Sequence, residues 1–397
     1  MRTLTDSTLK NAVKEYGSPL YVFDLDAFHE RFDYLKRQVG NEIKVNFCMK
    51  TNPFLTQVSV NDTDRIEVCS YGEFLICKEL KISPSKLLIS GVLKKEEDMR
   101  ETIEYCKEEG VYTAESPNQV KVMQKIAKDL NLHINVYFRL NCGQFGMDED
   151  TIISLLKSDE FSNINFYGIH YFTGTQKHKL RKHEKEINKL DEFFSRIEEE
   201  TGKKVLNLEY GTGFGVPYFV DQEETVTTPE NLYEFKNLLL NMKWKGNISL
   251  EMGRALAFNC GYYAVTIRDV KESAGKNYII CDGGIHQINY DGQLRGMYLP
   301  HLRVLKNREG SDVKKHYSLY GSLCTTNDVL VSDFETEEVD CGDIIVFERV
   351  GAYSVYEGMS LFLSHELPGI AFYSEEDGLQ LVREKQESYR LNTPFMK

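Results

Sequence analysis

The sequence predicts an α/β fold, a (β/α)8 TIM-type barrel with a second, mostly β C-terminal domain. Between about residues 44 and 253 one beat repeats eight times: a short β-rich run ending in polar or glycine residues, then an amphipathic helical stretch. Strand then helix, in that number, is the pattern of a barrel whose parallel strands are each covered by the helix that follows. After residue 265 the beat gives way to short extended runs, NYIICDGG, HYSLYGSLC and DIIVFERVGAY, with no long helical stretch between them. A length of 397 residues is also more than one ordinary core fills, so a large and a smaller domain are expected.

Taken in order, the eight runs are KVNFCMK (44–50), IEVCS (66–70), LLISG (87–91), VYTAES (111–116), NVYFRLN (135–141), FYGIHYF (166–172), LNLEYG (206–211) and NISLEMG (247–253). The segments between them read as helices. PNQVKVMQKIAKDLN, for example, opens with a proline that suits a first helical turn. The leading segment ends in PLYVFD, which is strand-like, precedes the barrel and is free to pair into the second domain. The expected division is therefore a barrel over residues 26–264 and a β-rich domain built from residues 1–25 and 265–397. The polar tail after about residue 380 reads as dispensable.

Composition narrows the function. A formal net charge of -13 repels phosphates, which argues against nucleic acid or an anionic membrane as partner. No apolar run reaches the roughly 18 residues of a membrane span, and the first residues lack a signal-peptide core, so a cytoplasmic location is expected. The nine cysteines contain no CxxC pair and the histidines no HExxH spacing, so neither a disulfide framework nor a metal site is indicated.

Barrel active sites gather at the carboxyl ends of the strands, and that is where the unusual residues fall: Lys50, Ser70, Arg139 and Asn141, His170 and Phe172, the glycines of YGTGFG, then Glu251 and Arg254. Lysine and glutamate on buried strands are costly without a partner or ligand. Such a set needs a cofactor with a carbonyl, an aromatic ring and a phosphate, and pyridoxal phosphate has all three. Lys50 can form the Schiff base if burial and neighbouring cations lower its pKa. Taken alone, it fits a snorkelling lysine better. The glycine turn offers closely spaced N–H groups for a phosphate, a weak signal by itself.

Nine motifs in order then carry a resemblance: NFCMKTNP, EVCSYGE, FRLN with QFGM, GIHYFTGTQ, the glycine turn EYGTGFG, EMGR, CDGG, GSLCTTND and GAY. Over nearly its whole length the chain resembles the fold-type III pyridoxal-phosphate decarboxylases, the group of diaminopimelate, ornithine and arginine decarboxylases. It is most similar in look to the branch acting on carrier-bound glutamate. The resemblance implies an enzyme that removes the α-carboxylate of an amino acid, free or carrier-bound, in a specialised biosynthetic pathway. It implies Lys50 as the Schiff-base lysine and Glu251 as the acid facing the pyridine nitrogen. Thr175, the backbone of Gly213, Phe214 and Gly215, Arg254 and Tyr353 would hold the phosphate, and Gly253 would be a further cofactor-binding residue. Arg139 would sit beside the cofactor, with Glu251 a candidate partner. Cys324 would come from the neighbouring subunit and return a proton to the substrate carbon, which implies a homodimer with shared active sites.

Departures from the family pattern bear on the substrate. Phe172 stands where most relatives stack a histidine on the ring, keeping the surface and losing the donor. Met252 replaces the usual proline and Gln144 the usual lysine before FG. Thr325 follows Cys324 where relatives that bind a distal amino group carry an acid, and a neutral side chain cannot supply that charge. Asp328 remains as a substrate-site candidate, as do Arg295 and Tyr298 for a carboxylate or phosphate, or as solvated surface. Two rivals share the observations: an amino-acid racemase, against which Glu251 argues, and a non-catalytic binding protein, against which Lys50 and Cys324 argue.

Overall fold

The computed structural model describes residues 2–308 and 313–395, which divide into two compact units. One comprises Phe32–Val216 with Glu224–Leu256 and holds the barrel. Strand β1 (Leu20–Asp24) lies outside it. Within it β2 (Ile43–Cys48), β3 (Ile66–Val68), β4 (Leu87–Ile89), β5 (Val111–Ala114), β6 (Ile134–Arg139), β7 (Ile164–Tyr171), β8 (Asn207–Gly211) and β9 (Asn247–Met252) close a parallel barrel in sequence order. All eight expected runs are strands of this barrel, and β9 closes it on β2 with Asn46 opposite Glu251.

Helices cover the barrel as the apolar periodicity requires. Pro117–Asp129 starts where proline and a capping serine say it should: the Ser116 side chain accepts the Gln119 N–H, and Val120, Met123, Ile126 and Ala127 are buried. Ser70, expected at a strand end, caps the helix Tyr71–Glu79 in the same way. The wall between β7 and β8 depends on one glycine. Gly168 sits at φ +155°, and a Cβ there would lie 1.9 Å from the Asn207 carbonyl oxygen.

The second unit is a nine-stranded sheet. Its strands are β1, β10 (Gly261–Ser273), β11 (Lys276–Cys281), β12 (Leu302–Leu305), β13 (Lys314–Tyr320), β14 (Val329–Glu337), β15 (Ile344–Glu348), β16 (Gly369–Ser374) and β17 (Gly378–Arg383). Strand β1, the PLYVFD segment, is wholly buried between β10, antiparallel, and β16, parallel. The tail that reads as dispensable begins inside β17, which pairs with β16 and forms the sheet edge. Three successive residues, Gln380 to Val382, are exposed, as suits an edge strand, and its backbone pairing with β16 makes it part of the sheet and not an unstructured end. Among the described residues no helix is long and apolar enough to cross a membrane.

Candidate active site

The barrel interior follows the layer rule, by which alternate strands fill one level. Asn46 on β2 and Glu209 on β8 meet at one level, where the Asn46 amide donates to Glu209 Oε1 at 2.7 Å. Glu67 on β3, His170 on β7 and Glu251 on β9 come from the odd strands, and His170 Nε2 lies 3.2 Å from Glu251 Oε2. A Glu67 oxygen, a Glu251 oxygen and the Cys48 sulfur all lie within 4.8 Å of one another.

Lys50 sits in the single 3-10 turn Met49–Thr51 that ends β2. Its ammonium donates to Glu67 Oε2 at 2.7 Å and lies 3.4 Å from the Cys69 sulfur. The Cys69 thiol in turn donates to Glu67 Oε1 at 3.1 Å. The expectation of neighbouring cations is corrected here: the charge against Lys50 is a carboxylate. Burial works to raise the pKa of Glu67, but the charge and hydrogen bond of Lys50 outweigh it and hold the carboxyl below its ordinary range. Burial, then the charge of Glu67, pushes the thiols of Cys48 and Cys69 well up, so both stay protonated.

Glu209 is the opposite case. Burial, then the charge of Glu251, raises its carboxyl well above the ordinary range, and Oε2 has no partner among the described residues. The folded chain thus keeps a proton that the unfolded chain releases, so this group costs stability as pH rises from the ordinary carboxylate range towards the folded value. Glu209→Gln is expected to flatten that fall by up to about 1.4 kcal/mol per pH unit. Urea midpoints of the two proteins between about pH 5 and pH 8 check it; parallel curves would mean that Glu209 is ionised in the fold.

Arg139, expected beside Glu251, pairs instead with Glu115 just beyond β5: Nη1 to Oε1 is 2.5 Å, and both residues are buried. The guanidinium also lies 4.8 Å from the Phe145 ring centroid. The partner of Glu251 is His170 on β7, while the Arg139 guanidinium is already committed to the nearer carboxylate of Glu115.

Near the ends of β7 and β8, Arg254 Nε donates to the Thr175 hydroxyl at 3.2 Å. The glycine turn leans on the loop after β7, where the Lys177 N–H donates to the Gly213 carbonyl at 2.9 Å. The Gly215 N–H is spent on the Lys177 carbonyl at 3.0 Å, which corrects its place in the expected phosphate cradle. The N–H groups of Gly213 and Phe214 have no partner among the described residues. Gly213, at φ +57°, would put a Cβ 2.0 Å from the Gly174 oxygen. The Phe172 ring packs on Gly211, whose Cβ would fall 2.5 Å from the ring, and Gly253 leaves room only for the Thr51 hydroxyl.

The remaining candidates lie in the second unit. Cys324 is exposed and Thr325 half-buried. Asp328 is 1% exposed, with its two oxygens accepting the N–H groups of Ile285 at 2.8 Å and Leu323 at 2.7 Å. That corrects its expected role, since the carboxylate ties down the Cys324 segment from within. Exposed Arg295 donates to the Asn327 side chain at 2.9 Å, and Tyr298 stacks on Phe219 with centroids 4.9 Å apart. Tyr353 has φ +64°, a left-handed conformation costly for tyrosine.

Pyridoxal phosphate fits the barrel residues. Glu251 Oε1 is buried and has no partner among the described residues, as an acceptor for a protonated ring nitrogen requires. Two buried carboxylates, Glu67 and Glu251, lie close together beside the single ammonium of Lys50, an excess of negative charge that a cationic ring relieves. Two free amides with Arg254 and Thr175 suit a phosphate. Sequence reasoning missed Glu67, Glu209, Asn46 and Glu115. The available signal was an acid inside each of the apolar runs IEVCS and LNLEYG, a placement that demands a partner.

Comparison with known proteins agrees. The family model for the pyridoxal-dependent decarboxylase, C-terminal sheet domain, matches residues 20–351. The chain is 25% identical to diaminopimelate decarboxylase of Methanocaldococcus jannaschii, covering 94% of this chain and 90% of that one. It is 24% identical to the L-glutamyl-[BtrI acyl-carrier protein] decarboxylase of Niallia circulans, covering 96% and 94%. The crystal structure of the M. jannaschii enzyme in co-complex with L-lysine superposes with TM-score 0.83 over 98% of this chain and 94% of that one, at 24% identity. With barrel, sheet and cofactor-shaped site in agreement, the chain belongs to the pyridoxal-dependent decarboxylases and is a lyase acting on amino-acid-like substrates.

Proposed function

We propose that this decarboxylase acts on a carrier-bound amino acid lacking a distal ammonium group, in a specialised biosynthetic pathway, and does so as a homodimer. The cofactor, when bound, supplies a carbonyl for the substrate amine and a ring that accepts the electrons left by the departing carboxylate. Lys50 would hold the cofactor, and Glu67, hydrogen-bonded to the free amine in this structure, would hold that amine in place while the substrate occupies the cofactor carbonyl. Glu251, oriented by His170, keeps a proton on the ring nitrogen. Phe172 offers the ring an apolar face. The amides of Gly213 and Phe214, with Arg254 and Thr175, bind the phosphate, while the buried barrel floor excludes water from the reacting carbon. Cys324 of a second copy returns the proton to that carbon.

The observation that carries the substrate reading is the chemistry around Cys324. Thr325 is neutral, and the carboxylate of Asp328 is committed to two backbone amides. Neither offers an anion to a distal ammonium. The glutamyl-carrier decarboxylase of N. circulans and a staphylococcal relative, 2-[(L-alanin-3-ylcarbamoyl)methyl]-2-hydroxybutanedioate decarboxylase, 23% identical over 89% of this chain, support a substrate outside the diamino acids.

A screen of CO2 release from free L- and D-amino acids, diaminopimelate included, and from glutamate tethered to an acyl-carrier protein tests the reading. Carrier-bound glutamate is expected to exceed every free amino acid at least tenfold in kcat/KM, about 1.4 kcal/mol of discrimination. Diaminopimelate, lysine or ornithine as the best substrate would refute it. Chiral analysis of recovered substrate tests the racemase rival in the same tubes.

A further inference from the structure

The helix Leu180–Thr201 continues from the loop that carries Thr175, and its charges run against its own dipole. The first turn contains no acid and the last turn no base, the reverse of what a helix favours. Lys179 at the cap position, Arg181, Lys182 and Lys185 crowd the positive end, and all are exposed. Arg181 and Lys185, one turn apart, repel each other directly. Glu184 is the acid interleaved among them.

The acidic end of the same helix is equally mismatched, but there the fold compensates. Glu200 is held by Lys157 at 3.0 Å and Arg196 at 2.8 Å, and Glu198 faces Lys204 at 3.4 Å. The basic end has no such relief: among the described residues, none of Lys179, Arg181, Lys182 and Lys185 forms an ion pair. Lys177, just before them, is buried and already paired with Glu186. Uncompensated cations packed together in a chain of net charge -13 are an arrangement that an anionic partner relieves.

Two further features say what kind of partner. The strip begins beside the glycine turn, since the preceding loop bonds to Gly213 through Lys177 and to Arg254 through Thr175. A cavity of about 580 Å³ lies alongside it, between this helix and Pro229–Leu240, where Arg181 and the apolar Leu180, Ile187, Leu238 and Met242 share the lining with the acids Glu184, Asp191 and Glu234 and three asparagines. Four cations bounded by these acids match the short footprint of a small folded domain with an acidic helix. They do not fit an extended polyanion, which would meet the repulsion of the rest of the surface.

We propose that Lys179, Arg181, Lys182 and Lys185 form the docking surface for an acidic carrier domain that presents the substrate on its phosphate-linked arm. The proposal rests on the carrier-bound reading above, and the test separates the two. The combined variant Lys179→Glu, Arg181→Glu, Lys182→Glu, Lys185→Glu places acids at the positive end of a helix, so it should fold with a melting temperature no lower than the parent's. The substrates are L-glutamate on the phosphopantetheine arm of an acidic acyl-carrier protein and L-glutamate on free pantetheine. The variant is expected to raise KM for the carrier substrate at least tenfold while leaving kcat, and all constants for the pantetheine thioester, unchanged. The matching Gln variant should fall between. Binding of the unloaded carrier, titrated calorimetrically, should weaken in parallel. If the parent prefers the carrier substrate and the variant does so equally, the strip is not the docking surface and the carrier reading stands. If the parent shows no preference for the carrier substrate, both fall. Equal strip-dependent binding of short duplex DNA or anionic lipid vesicles would overturn the assignment in favour of general polyanion attraction.

Discussion

Lys50→Ala is expected to abolish turnover and to leave the purified protein without the absorbance at roughly 420 nm that a Schiff base of this cofactor gives. Colour alone would not separate loss of the bond from loss of the fold, so the variant also carries a stability signature. In the parent, Lys50 holds Glu67 below its ordinary carboxylate range. A depressed folded value contributes stability that is present above the unfolded value and is lost as pH falls through the folded one. Without the ammonium, Glu67 keeps its burial and loses the charge that opposed it, so its folded value rises above the unfolded one and stability should now fall as pH rises. At neutral pH the cost should be about 1–3 kcal/mol, nearer the lower figure because the Lys50 side chain is 36% exposed. Urea denaturation of the cofactor-free proteins across the acid range measures the slope. A variant that retains the band would take Lys50 out of the Schiff-base role, and one that keeps the parent's pH dependence would take it out of its hold on Glu67.

Glu251→Gln is expected to lower kcat roughly a hundredfold or more, about 2.7 kcal/mol of barrier, because the ring nitrogen loses the anion that keeps it protonated. The same change should not destabilise the cofactor-free protein. Glu251 is 4% exposed, its Oε1 has no partner among the described residues, and its charge bears on Glu209. A neutral amide of the same shape removes that repulsion, so the urea midpoint should hold or rise. Turnover within about threefold of the parent would show that this carboxylate does not face the cofactor.

The strands and their ends were legible because they are local. Alternation and turn chemistry place all eight barrel strands, and the position of Lys50 and Glu251 at carboxyl ends follows once the barrel is recognised. The pairings were not legible, because register and strand parity decide them. Nothing near residue 50 in the chain says that its amine meets Glu67, or that Asn46 reaches across the barrel to Glu209. Arg139 went to the wrong carboxylate for the same reason, since a strand-end arginine beside a strand-end glutamate looks paired until the nearer carboxylate of Glu115 is known. Asp328 was misread as open to substrate because a sequence shows a carboxylate but not the two amides that consume it. The basic run 179–185 was in plain view. What singles it out is that the fold answers the acidic end of its helix and leaves this end unanswered.

The place of β1 in the sheet has a consequence for the birth of the chain. Leu20–Asp24 leaves the ribosome long before β10 and β16 exist, and both of its neighbours are needed to cover its backbone. The barrel strands, complete at Met252, can close while this apolar ribbon waits. A transcript cut short between residues 260 and 369 should therefore yield a product with a sound barrel and a sticky leader, one that chaperones retain or that precipitates.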